Sequence, residues 1–305
     1  ILYFRSELIA QQLCIMECEI LQRVSWQDLI ELRWQKKKRA APPPANPTST
    51  EAGQSTGVVI RRFDQMSQWA VTEIIRTLDI QERVLVVEKF IRVALKCYHH
   101  ANFSTLMQIL FALQSSPVHR LKQTWSLIGD YEYHMFQYLK DFACPTRNWK
   151  NLRDATKVML ECGYQIGGCV PFLGLFLSDL VMNAELPTFV RPRPLSTASA
   201  SSSHTNGTTT TSTTTRGSSS TSTSASTSSP GGGEGGLAVP APARLMVNFH
   251  KLRNSAGIIK RLIAFQTVLA HRYPFTKDPL VYSLLSDNLE VWDEKTVMAN
   301  SCKLE

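Results

Sequence analysis

The stretch Asn102-Phe-Ser-Thr-Leu-Met-Gln-Ile-Leu-Phe-Ala-Leu-Gln-Ser-Ser-Pro-Val-His-Arg-Leu-Lys-Gln-Thr-Trp125 reads as a buried helix, a stop and a second helix. Leu106, Ile109, Leu110 and Leu113 recur at helical spacing, which predicts one apolar face. Asn102 stands where its side-chain oxygen can accept from the first-turn amides. Pro117 has no amide to donate and disfavours the α region for Ser116, so Gln114-Ser115-Ser116-Pro117 predicts the stop. The chain resumes with His119, Arg120, Leu121 and Trp125. A polar corner at Gln114–Ser116, between two apolar helices, lies at an element end, where binding residues concentrate.

Outward from this corner the helical signal continues on both sides. Upstream, Leu8, Ile9, Leu13, Ile15, Met16, Ile20, Leu21 and Val24 give an apolar stripe across residues 7–34, with Ser25 and Asp28 forming a variant capping box. Met66, Trp69, Ala70 and Ile74 follow the 3.6-residue period. Asp79 and Glu82 then open a second amphipathic helix that carries Val84, Val87, Ile91 and Ala94. Downstream, helices are expected near 126–142 and 149–162. In the first, Tyr131, Met135, Phe136, Tyr138, Leu139 and Phe142 read as core rather than as a base-stacking platform. Pro171 suits a first helical position, residues 244–272 read as one helix, and Asp278-Pro279 caps another. Almost nothing reads as strand. The expected fold is all-α.

Two segments break the pattern. Residues 36–58 hold Lys36, Lys37, Lys38 and Arg39, three prolines in a row and a polar run; they read as a disordered linker insertion. Residues 191–243 are dominated by Ser and Thr, with a glycine-rich run at 231–236; they read as a second disordered insertion. Closure entropy grows only slowly with loop length, so an insertion between two arms of a hairpin is tolerated.

The formal charge is +8, yet the basic residues are mostly dispersed, which speaks against nucleic acid as a partner. The Lys36–Arg39 run suits weak contact with an anionic membrane surface. No apolar run reaches the roughly 18 residues of a membrane helix. The seven cysteines show neither C-x-x-C pairs nor zinc spacing, and most read as reduced core thiols of a cytoplasmic protein. Neighbouring His99 and His100 point about 100° apart on a helix, so no metal site is expected. Gly167-Gly168 lacks the strand and the Lys-Ser/Thr ending of a phosphate loop, and no cofactor is expected. The chain begins at Ile1 rather than Met, as a piece of a longer protein would.

Leu113 to Leu121 resembles the Leu-Gln-Ser-x-Pro-(Ile/Val)-His-Arg-Leu motif in the catalytic domain of Ras-type guanine nucleotide exchange factors. Further blocks are similar and in the same order: Glu7-Leu-Ile-Ala-Gln-Gln-Leu, Phe63-x5-Trp69-x3-Glu73-Ile, and Gln81-Glu-Arg-Val-x3-Glu-Lys-Phe-Ile. Pro171-Phe-Leu-Gly174-Leu-Phe-Leu-Ser178-Asp179-Leu180 resembles the family's Pro-Tyr/Phe-Leu-Gly-x-Tyr-Leu-Thr-Asp-Leu. Leu245-Met-Val-Asn248-Phe249-x-Lys251-x-Arg253 resembles the returning arm of the same hairpin. The resemblance implies a single RasGEF-like helical domain over residues 1–305, with a protruding helical hairpin whose turn holds the second insertion.

The resemblance also implies a partner, a Ras-subfamily small GTPase bound most tightly when nucleotide-free, and recruitment to the inner membrane face where that GTPase is anchored. It places Arg83, Met107, Gln114, His119 and Arg120 on or under the surface that anchors the partner's second switch segment. Arg120 could equally be a buried structural ion pair. Phe172 packs the hairpin base onto the body, while Ser178, Val181 and Glu185 lie on the inserting helix. Positions 178, 181/182 and 185 are three or four apart and share a face. Val181 would set an apolar group where magnesium sits, and Glu185 a carboxylate near the α-phosphate. No covalent bond changes in such an exchange. The chain departs from the family in one place: Ala184-Glu185-Leu186-Pro187 stands for Glu-(Glu/Asp)-Gly-Asn-Pro. That leaves a second reading, a GTPase-binding scaffold without exchange activity. Self-similarity at solenoid periods is absent, as are hydrolase motifs.

Overall fold

The computed structural model describes residues 1–36, 55–191, 245–269, 272–287 and 289–305. Its elements are α1 (Ser6–Leu21), α2 (Trp26–Ile30), α3 (Arg33–Lys36), α4 (Ser55–Arg76), α5 (Ile80–His99), α6 (Phe103–Gln114), α7 (Ser116–His119), α8 (Lys122–Ser126), α9 (Asp130–Phe142), α10 (Thr146–Ile166) and α11 (Leu173–Ala184). After the short strands β1 (Phe189–Val190) and β2 (Met246–Val247) come α12 (Phe249–Ala264), a π-helical turn at Phe265–Leu269, α13 (Pro279–Asp287) and α14 (Glu294–Leu304). The all-α expectation holds. No helix among the described residues is long and apolar enough to cross a membrane.

The chain divides into two compact units, Ile1–Leu186 with Phe249–Glu305, and Pro187–Asn248. The core of the larger unit lies where α4, α5 and α6 meet, with α1 across α5. Ile74, Val87, Phe90, Leu106, Leu110 and Leu113 are nearly inaccessible there, and the apolar faces read from spacing are the faces buried. Each such side chain contributes about 1.5–3 kcal/mol by leaving water. Burying a carboxylate in this core requires partners. Glu17 of α1 finds them on α6, accepting from the Ser104 hydroxyl at 2.7 Å and the Gln108 amide at 3.1 Å.

Caps set the helix starts. The side chains of Ser25, Asp79 and Asn102 accept from the amides of Gln27, Glu82 and Thr105. Asp28 does not complete a box with Ser25. Its carboxylate accepts from the Ser55 amide at 2.8 Å, the Ser55 hydroxyl at 2.5 Å and Arg33 at 3.0 Å. These bonds fix the start of α4 at Ser55. The first linker, expected to reach residue 58, therefore ends earlier, and residues 55–58 are helical. Residues 37–54 and 192–244 lie outside the described residues, and with them most of both expected insertions and Lys37, Lys38 and Arg39.

Other boundaries also move. Ser115, rather than Ser116, takes the extended backbone (φ −63°, ψ 149°), and Ser116 opens α7. Proline is tolerated in a first helical turn, so Pro117 starts the next helix as well as ending α6. Pro171 precedes α11, whose N-cap position is Phe172. Leu245–Asn248 are not helical. Tyr131 and Tyr138 are exposed, whereas Phe136 and Leu139 are core. The first turn of α10 is left-handed at three consecutive residues, Arg147, Asn148 and Trp149 (φ 53°, 58° and 59°). Each non-glycine residue held there costs about 1–2 kcal/mol, least for asparagine.

Candidate functional site

The corner after α6 is built from the backbone outward. The Ser115 hydroxyl donates to the Ala112 carbonyl at 2.6 Å, and the Trp125 indole donates to the Val118 carbonyl at 3.0 Å. The C-terminal helix straps this corner. The Ser301 hydroxyl donates to the Pro117 carbonyl at 2.6 Å, and the Arg120 guanidinium donates to the Ser301 carbonyl at 2.7 Å. Arg120 is half-buried and holds a backbone carbonyl; among the described residues it forms no buried ion pair.

Arg83 is 2% exposed. It donates to the Thr124 hydroxyl and to the carbonyls of Thr77 and Leu78, each at 2.9 Å. Glu305 completes this arrangement. Its carboxylate accepts from the Gln123 amide at 2.7 Å, the Thr124 amide at 2.9 Å and the Thr124 hydroxyl at 2.6 Å, with Arg83 at 3.5 Å. Burial pushes the Glu305 pKa up. The Thr124 and Gln123 donors and the Arg83 charge outweigh it, and the carboxyl sits below its ordinary value. Met107 is 1% exposed. Of the two positions expected, on or under the surface, Arg83 and Met107 take the lower one: both are buried.

Gln114 and His119 are exposed and line an open groove of about 460 Å³. Lys122 shares their side, and Tyr133, Phe136 and Lys140 of α9 form the other. Trp125 stacks at a tilt on Phe136 with ring centroids 4.9 Å apart. The groove thus has an aromatic floor and two ammonium groups on its rim, and among the described residues no carboxylate lines it.

The chain leading into α11 is seated against the start of α6. The Phe103 amide donates to the Val170 carbonyl at 2.9 Å and the Val170 amide to the Ala101 carbonyl at 3.0 Å, a short parallel bridge. Phe172 then sits among Phe63, Phe111 and Trp149, at centroid distances of 5.4, 6.2 and 6.2 Å. Its ring lies over Gly174, where a Cβ would stand 2.4 Å from Phe172 Cζ. That close approach explains the glycine.

Along α11, Leu173, Leu175, Phe176, Leu177 and Leu180 are buried. Ser178, Met182 and Glu185 are exposed and Val181 is half-buried. The shared face read from spacing is thus the accessible face, and it carries an apolar group and a carboxylate one turn apart. α12 runs antiparallel to α11: Asn183 meets Lys251 and Ser255, and Phe176 meets Phe265 at 6.1 Å. Sequence reading missed the groups that hold α11. Arg153 of α10 grips Asp179 with two bonds of 2.7 and 2.8 Å. These partners lie 26 residues apart in the chain, so no periodicity points to them.

A family model described as the RasGEF domain matches residues 8–206. The guanine nucleotide exchange factor LTE1 of Candida glabrata is 32% identical over 197 residues, which cover 62% of this chain and 14% of that protein. Ras guanine nucleotide exchange factor M of Dictyostelium discoideum is 31% identical over 172 residues, 56% of this chain and 17% of that protein. The Ras-specific guanine nucleotide-releasing factor RalGPS1 of Danio rerio is 28% identical over 174 residues, 57% and 27%. The chain thus spans well under a third of the length of each of these relatives.

Proposed function

The chain belongs to the RasGEF domain family, and from that premise we propose that it is a guanine nucleotide exchange factor for a Ras-subfamily small GTPase, speeding GDP release so that GTP loads. The relatives named as exchange factors support this reading. The observation that carries it is the accessible face of α11, where Ser178, Val181, Met182 and Glu185 lie together while the helix is fastened at both ends.

The physical problem is one of affinity. A GTPase that holds nucleotide at picomolar strength, about −16 kcal/mol, releases it slowly. A partner that prefers the empty state lowers that barrier, and by reciprocity nucleotide weakens the partner's grip. The groove beside Gln114 and His119 anchors the GTPase's second switch segment. Val181 then brings an apolar group to the magnesium position, where the ion needs oxygen ligands. Glu185 brings a negative charge toward the α-phosphate and competes for its donors. Recruitment to an anionic membrane face follows the GTPase, helped by Lys36 and the basic residues after it in sequence, at about 1 kcal/mol each.

The test is release of fluorescent GDP from Ras, Rap and Ral with this chain added. The expected result is acceleration of at least one GTPase, cut about 100-fold by Val181→Asp or Glu185→Ala, since loss of a group acting only on the transition state is of that order. The departure at Ala184-Glu185-Leu186-Pro187 favours a second reading, a GTPase-binding scaffold. Tight binding with background release by wild type and variants alike decides for the scaffold.

A further inference from the structure

Three features of one element converge on α11. First, α10 opens with the strained left-handed turn Arg147–Trp149, built without glycine. Strain of this kind persists where surrounding structure over-determines it, and it gathers where geometry matters for function. Second, that turn aims Trp149 at Phe172, the residue before α11. Third, Arg153 bridges the turn to the helix. Its Nε donates to the Asn148 carbonyl at 2.9 Å and Nη2 to the Asn148 side-chain oxygen at 3.3 Å. Nη1 and Nη2 together donate to the Asp179 carboxylate at 2.7 and 2.8 Å.

Phe172 stands at the entry to α11 and Asp179 about two turns further on, so α10 holds the helix at two points along its length. Asp179 adjoins Ser178 and precedes Val181 by half a turn. We propose that Arg153 is a positioning residue for exchange: through its fork to Asp179 and Asn148 it fixes the axis and rotation of α11, so that Val181 and Glu185 arrive in register with the nucleotide pocket. This rests on the exchange-factor reading.

An ordinary exposed ion pair contributes little, but this one differs in kind. The guanidinium is spread over two elements, its side chain is 29% exposed and that of Asp179 is 25% exposed. A lysine carries the charge without the planar fork, so Arg153→Lys separates charge from geometry.

Two measurements test the proposal. In the release assay, Arg153→Gln and Asp179→Asn should each lower the maximal rate about tenfold, because small misplacements of reacting groups cost that much or more. The GTPase concentration for half-maximal effect should stay the same, since the groove is untouched. Arg153→Lys should match Arg153→Gln, and the double variant should be no slower than either single one. Wild-type rates in the single variants, or losses that multiply in the double, overturn the proposal.

The second measurement needs no GTPase and so separates this proposal from the exchange reading. In hydrogen exchange of the free chain, Arg153→Gln should speed the amides of α11 about tenfold while α6 stays as in wild type. Equal exchange in α11 overturns it.

Discussion

Asn183 holds the backbone of Lys251 on the opposite arm of the hairpin, while the Lys251 side chain reaches back past Asn183 to two carbonyls at the end of its helix. The Asn183 amide donates to the Lys251 carbonyl at 2.9 Å and to the Ser255 hydroxyl at 2.7 Å. The Lys251 ammonium donates to the carbonyls of Ala184 and Leu186 at 2.7 and 2.6 Å. A helix leaves its last carbonyls without partners and carries negative potential there, so a cation is well placed. The two contributions should be unequal. Asn183 is 8% exposed, and Asn183→Ala should cost about 1–2 kcal/mol by stranding buried groups. Lys251→Met should cost less, roughly 0.5 kcal/mol, because water can reach the Leu186 carbonyl. Urea midpoints of the two variants check the order; a larger loss for Lys251→Met contradicts it.

Gly174→Ala should be damaging out of proportion to its size. The added methyl would stand 2.4 Å from the Phe172 ring, which is itself wedged among Phe63, Phe111 and Trp149. Overpacking of this kind costs about 1–3 kcal/mol. Thermal denaturation should show the loss, and nucleotide release should fall with it. Phe172→Leu in the same background should recover part of the stability by making room.

The Glu305 carboxyl lies below its ordinary pKa of 4.5 when folded. The sign follows by linkage: a depressed folded pKa contributes stability above the unfolded value and loses it as pH falls through the folded one. Glu305→Gln should therefore lower stability at pH 7 by roughly 1–2 kcal/mol, since hydrogen bonds to a charged acceptor are the stronger ones. The gap between variant and wild type should close below about pH 4.5. Denaturant titrations from pH 7 downward measure it. A gap that stays constant would show that the carboxylate charge is not what holds α8.

The seven cysteines should divide into two classes. Burial pushes Cys14 up to about 12 and Cys18, Cys97 and Cys169 well up as well. Cys144 is drawn below its ordinary value by the Thr146 hydroxyl and amide, and Cys162 and Cys302 are exposed. Thiolate is the reactive form. A disulfide reagent at pH 7.5 should therefore titrate Cys144, Cys162 and Cys302 in the native chain, Cys144 fastest, and reach the others only in denaturant.

Local signals were legible where the physics is local. Asn102, Asp79 and Ser25 cap the helices that their side-chain chemistry announces. Apolar spacing marked the buried faces of α5 and α6. That 178, 182 and 185 share a face followed from the helical period, and that it is the exposed face came only from the family resemblance. What was not legible depends on partners far along the chain. Asp28 reads as a capping residue until Ser55 arrives to take its carboxylate. Tyr131 and Tyr138 share the aromatic pattern of α9, but periodicity does not say which side of a helix faces inward. The left-handed turn at Arg147–Trp149 carries no glycine to mark it. The depth of Arg83 and Met107 is invisible to motif matching, which records identity and not burial.

The two-residue ladder of the smaller unit pairs Phe189 with Val247 and Val190 with Met246. The Asn248 side chain adds a bond to the Pro187 carbonyl at 2.8 Å. Val190 and Met246 are thus neighbours on adjacent strands, and whatever joins them begins and ends at one spot. For protein engineering this makes the stretch an insertion port. A fluorescent protein or an affinity handle grafted between Arg191 and Leu245 would enter and leave through the same gate, and truncating the stretch to a few glycines would shorten the molecule without asking either strand to move.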